Sequence, residues 1–182
     1  MAIKRFADTK DKRMLLRRLF VYTALFFILG IAQCSFFSAL KPFGATPDIV
    51  LGGLCGVIML DNKRVAAIVA IAAGYFVDAI GALPPSFSPL YYLLCVAILG
   101  CVADKMMPRF VSYTVLILAS LVPLSVYTVI GIRISAGALP MFSVLAGTVL
   151  SAAISTFVFC LPIYFLVKLC MLPIGAKGSL TH

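Results

Sequence analysis

Along this chain the apolar positions neither alternate nor recur at three- and four-residue intervals. They gather into long unbroken runs separated by short polar or proline-bearing punctuation. A run that is apolar all the way round has no wet face, so it predicts a helix enclosed on every side by protein or lipid. Such runs cover residues 19–40, 49–60, 65–83, 90–103, 110–132 and 142–169. Between them stand Lys41-Pro42-Phe43-Gly44-Ala45-Thr46-Pro47, Asp61-Asn62-Lys63-Arg64, Pro84-Pro85-Ser86 and Asp104-Lys105. The pattern predicts an all-α, polytopic membrane bundle of about six transmembrane helices over residues 19–172. A basic tail precedes it at 1–18 and a short tail follows at 173–182, both cytoplasmic.

A full crossing takes about 20 helical residues, and the second and fourth runs fall short of that. They are expected either to cross a thinned region or to enter where neighbouring helices shield them. The first run follows basic residues as a secretion signal does. It is longer than such a core and lacks a small-x-small cleavage site; Gln33 also spoils the lipoprotein-like Ile31-Ala32-Gln33-Cys34. An uncleaved span is therefore expected.

Composition agrees with lipid as the surrounding medium. The 182 residues are 63% hydrophobic and 12% charged, with a mean hydropathy of +1.15, whereas soluble domains are near half apolar and a quarter charged. The net charge is +9, and its placement assigns an orientation. Lys4, Arg5, Lys10, Lys12, Arg13, Arg17 and Arg18 precede the first run, and Lys63/Arg64, Lys105/Arg109 and Lys168/Lys177 fall on the same side of a six-crossing chain. Only Lys41 and Arg133 fall on the other. Basic loops stay in the cytoplasm, so the first group is expected inside, with Lys12, Arg13, Arg17 and Arg18 anchoring the chain to anionic membrane lipids and setting its topology. No basic aromatic platform accompanies the charge, which argues against a nucleic-acid partner.

The candidate chemistry is sparse. All six acids are aspartates, and the only histidine is His182. No phosphate-binding loop, HExxH or GxSxG pattern occurs, so no catalytic residue, metal or cofactor is expected and the chain does not read as an enzyme. The six cysteines form no CxxC pair and read as packing residues. Asp8, Asp11, Asp61 and Asp104 lie beside basic residues and read as caps or counter-charges.

Asp48 and Asp78 differ, because an ionisable group within a span normally needs a partner or a purpose. Asp48, Gly52 and Gly56 recur every four residues on one helix face, as do Ala66, Ala70, Gly74 and Asp78 on the next. The two small faces are expected to meet as a helical hairpin with both acids near the outer rim. Either acid has a purely structural reading: Asp48 as a helix N-cap, Asp78 as an acceptor for backbone amides or for Ser86, Ser88 or Tyr91. The functional readings are docking of a partner helix, polar contact with a substrate, or a carboxylate pair. Gly147, Ser151 and Ser155, with Thr148, Ala152 and Thr156 adjacent, read as packing and hydrogen bonding between helices.

Thr46-Pro47-Asp48-Ile49-Val50-Leu51, then Gly74-Tyr75-Phe76-Val77-Asp78-Ala79-Ile80-Gly81 and a Pro/Ser turn, resemble the rod shape-determining protein MreD family. The resemblance covers nearly the whole chain and departs from the family pattern after Gly81. It implies a non-catalytic component of the bacterial cell-elongation complex in the cytoplasmic membrane. Such a protein binds MreC, works indirectly with MreB, RodA and a class B penicillin-binding protein, and supports cell shape and lateral peptidoglycan synthesis. The alternative is the substrate-binding component of an energy-coupling-factor vitamin transporter. That component usually carries an Ala-x-x-x-Ala contact in its first helix, and here Ala24 and Ala32 flank Ile28 instead.

Overall fold

The structure, a computed structural model, describes residues 2–61, 63–80, 87–107, 109–136 and 142–171. The turn expected at Pro84–Ser86, the end of the third run beyond Ile80, the tail at 173–182 and the side chains of Lys12 and Arg13 lie outside the described residues.

Every regular element among the described residues is helical. Helix α1 spans Ala2–Ile31, continues as a π turn over Ala32–Phe37 and ends in one further turn at Ser38–Leu40; α2 is Ile49–Leu60, α3 Lys63–Ile80, α4 Phe87–Ala103, α5 Phe110–Ala136 and α6 Phe142–Met171. No break separates the basic stretch from the first apolar run. Helix α4 starts three residues before its apolar run, which adds a turn and brings it to roughly 26 Å at 1.5 Å per residue.

Among the described residues, three stretches are long and apolar enough to cross a membrane: Leu16–Leu40, Phe110–Ile134 and Val144–Cys170. Ile49–Leu60 and Phe87–Ala103 are shorter apolar helices. The exposed surface of the long helices is itself greasy, with Phe20, Leu118, Val122 and Phe165 all half or more exposed. In water such a surface would drive aggregation, whereas in lipid it costs nothing. The chain is a helical membrane protein.

The architecture is organised around α2. Its residues Ile49 to Ile58 are all buried, and each of the other five helices touches it. This explains how so short a helix is accommodated, since its neighbours, not lipid, surround it, so its length need not match the bilayer.

The expected pairing of two small-residue faces is not what forms. Gly52 and Gly56 face α6: a methyl on Gly52 would lie 2.8 Å from Cβ of Cys160, and one on Gly56 3.1 Å from Val167. Gly74 faces α4, where a methyl would lie 2.5 Å from the backbone nitrogen of Pro89. Helices α2 and α3 do touch, but each spends its glycines on a different neighbour. Proline explains the preference at Gly74: it has no N–H to satisfy, so a backbone can press against it without stranding a donor.

Candidate functional site

A helix buried in an apolar bundle has to find partners for its first amides, since lipid and apolar side chains offer none. At the start of α2 those partners can be named. The Leu51 amide donates to Oδ1 of Asp48 at 3.0 Å, which makes Asp48 the N-cap. The Val50 amide donates to Oε1 of Gln33 at 3.0 Å, and the Asp48 amide donates to Oγ1 of Thr156 on α6 at 3.0 Å. The π turn in α1 holds Gln33; such a turn inserts a residue and re-aims the side chains around it.

Asp48 is also the meeting point of three helices. The Tyr92 hydroxyl of α4 donates to Oδ1 at 3.0 Å, and the thiol of Cys160 on α6 lies 3.4 Å from the Asp48 carbonyl. One turn along, the Tyr113 hydroxyl of α5 donates to the carbonyl of Cys160 at 2.7 Å and lies 3.1 Å from that of Gly52. Asp48 is 6% exposed, and these bonds give its burial a reason.

Asp78 does for α4 what Asp48 does for α2, from a different helix. The Ser88 amide lies 3.2 and 3.3 Å from its two carboxylate oxygens. With Pro89 next in line, the first turn of α4 has one fewer amide to satisfy. The Ser88 hydroxyl pairs with that of Tyr127 on α5 at 2.9 Å. The Tyr127 ring stacks on Tyr91, 4.1 Å between centroids, and Tyr91 packs on Tyr92 at 5.0 Å. The two acids are thereby joined through α4 and Tyr127, and among the described residues no hydrogen bond links one carboxylate directly to the other.

At the opposite end of the bundle, Asp61 accepts from Arg18 at 3.1 Å and from the Tyr22 hydroxyl at 3.1 Å. Arg18, expected as a lipid and topology anchor, is also tied to the end of α2. Asp104 pairs with Lys63, as a counter-charge should. Ser151 donates to the carbonyl of Phe43, Ser155 bonds back to its own helix at Ala152, and a methyl on Gly147 would meet nothing within 4 Å. On the α6 ladder, Ser151 and Thr156 thus hydrogen-bond to other elements, while Ser155 is buried and contributes by packing.

Gln33, Tyr92, Tyr127 and Ser88 carry this network; the sequence singles out Ser88 as a partner of Asp78 and the other three are passed over. A signal existed for three of them. A glutamine in an apolar run and a tyrosine where phenylalanine would pack equally well each carry a polar tip that needs a partner.

A cleft of about 440 Å³ opens beside Asp48, between the loop before α2, the π turn, α5 and α6. Compared with family models, with curated proteins and with solved structures, the chain matches none.

Proposed function

We propose that this chain is a non-catalytic scaffold of the bacterial cell-elongation complex, an MreD-like protein of the cytoplasmic membrane that binds MreC. The observation that carries the reading is the use made of Asp48 and Asp78. Each carboxylate caps the start of a helix, Asp48 that of α2 and Asp78 that of α4. A carboxylate pair poised for proton transfer needs freedom to exchange protons with a substrate. Each of these two is fixed in place by a backbone amide, and the gain is rigidity. A stiff bundle with a bound central helix suits a part that holds another protein in place.

On this reading the Asp48 end faces outward and the Arg18–Asp61 end faces the cytoplasm, as the distribution of basic residues asks. The glycines at 52, 56 and 74 act inside the bundle, so MreC would meet the surface that they shape indirectly. Through MreC the protein would act with MreB, RodA and a class B penicillin-binding protein.

Affinity purification of the tagged chain in mild detergent tests this. MreC should co-purify, and Asp78→Ala, which releases the start of α4, should lower its recovery severalfold. Recovery of an ATPase-bearing energising module or a bound vitamin in place of MreC would instead select the transporter alternative. Unchanged recovery of MreC with Asp78→Ala would remove Asp78 from the mechanism.

A further inference from the structure

The cleft beside Asp48 is not used by the scaffold reading, yet it has the make-up of a binding site. Its volume of about 440 Å³ falls in the range of small-ligand pockets, roughly 300–1,000 Å³. Its lining combines a few polar groups with apolar surface from Leu124 and Ile132. Two independent features mark the same place. The loop at its rim holds Lys41 and Phe43 at φ of 41° and 58°, the only non-glycine residues with positive φ among those described. Strain of this kind persists where surrounding structure over-determines it, and it clusters at ligand clamps. The opposite wall includes Gln33 from the π turn, a feature that recurs at functional sites.

The charges of the lining select the ligand. Among the described residues, Lys41 and Asp48 are its only charged members. A simple anion would be drawn to Lys41 but meet Asp48, and a simple cation would suffer the reverse. A group bearing both charges satisfies both. Asp48 retains the capacity for this: a carboxylate offers about four acceptor positions, of which the Leu51 amide and Tyr92 hydroxyl take two on Oδ1 and the Gln33 side chain a third. We propose that the cleft binds a zwitterionic head group, an ammonium joined by a short linker to a phosphate or carboxylate. The ammonium donates to Asp48, the acid group lies on the Lys41 ammonium, and Thr46 and Thr128 supply hydroxyls between them. The two sources of such chemistry are the head group of a phosphatidylethanolamine and a free small zwitterion.

The test uses the purified full-length protein, alone, so it is independent of any partner. The first arm reconstitutes it in nanodiscs of phosphatidylethanolamine, phosphatidylglycerol or phosphatidylcholine and measures retained lipid by native mass spectrometry. The second titrates free phosphoethanolamine by calorimetry. Retention of phosphatidylethanolamine at least fivefold over the other two supports the lipid source, and saturable binding of phosphoethanolamine supports the free one. The choline lipid discriminates because its ammonium has no N–H to donate to Asp48. Lys41→Gln removes the cation, and Thr148→Phe fills the cleft from an exposed position on α6; each should reduce binding at least fivefold while leaving thermal unfolding unchanged. Preference for phosphatidylglycerol, equal retention of all three lipids without phosphoethanolamine binding, or binding untouched by both substitutions would overturn the proposal.

Discussion

The Tyr92 hydroxyl donates to Oδ1 of Asp48 across 3.0 Å, so a side chain from the fourth helix closes the cap of the second. Both residues are buried, Tyr92 at 1% exposure. Loss of Asp48 takes the acceptor from the Tyr92 hydroxyl, whereas loss of Tyr92 leaves Oδ1 its bond from the Leu51 amide. Asp48→Ala should therefore destabilise the protein by about 2–3 kcal/mol, combining a lost cap with an unsatisfied buried hydroxyl. Asp48→Asn keeps an acceptor oxygen and should cost about 1 kcal/mol or less. Tyr92→Phe should cost about 1 kcal/mol, the usual scale for hydrogen bonds between membrane helices. Unfolding in detergent, followed by circular dichroism, orders the three variants.

Gly74 and Gly147 make a matched pair of opposites. A methyl at Gly74 runs into the backbone of Pro89, which cannot swing aside, whereas one at Gly147 meets nothing within 4 Å. Gly74→Ala should destabilise by about 1–3 kcal/mol through forced separation of α3 and α4. Gly147→Ala should be neutral or stabilise by up to about 1 kcal/mol, because glycine is a poor helix former. The same unfolding measurement reports both, and a larger loss at Gly147 than at Gly74 would contradict the packing.

The two ion pairs at the far end should behave differently. Arg18 and Asp61 are 28% and 4% exposed in their side chains, while Lys63 and Asp104 are 43% and 57% exposed. Lys63→Ala should change stability by less than about 1 kcal/mol, as exposed pairs do. Arg18→Ala removes a part-buried charged hydrogen bond from the nearly buried Asp61 carboxylate and should cost about 1–3 kcal/mol. High salt should narrow whatever small difference Lys63→Ala makes and leave the Arg18→Ala difference largely intact.

Much of the fold was legible because a run that is apolar all round has only one use. The six helices fall where the unbroken runs lie, and the shielding expected of the short second run follows from its lack of any polar face. Asp48 as an N-cap was readable too, since Pro47-Asp48 before an apolar run is a local signal. What could not be read is non-local. Whether Gly52 would press on α3 or on α6 depends on the packing of the whole bundle, and the four-residue spacing is equally suited to both. The start of α4 was placed late because Ser88-Pro89 reads as a turn until Asp78, ten residues earlier, is known to accept its amide. The π turn at Ala32–Phe37 left no mark at all, since an extra residue in a helix changes no composition.

The account rests on a membrane bundle whose Asp48 end faces outward, and labelling in intact cells tests that most directly. Lys41→Cys and Lys105→Cys, carried by the full chain, would be treated with a membrane-impermeant maleimide before and after permeabilisation, with the parent protein as control. The account predicts reaction at position 41 in intact cells and at position 105 only after permeabilisation. Labelling of position 105 in intact cells, with position 41 protected, would contradict it.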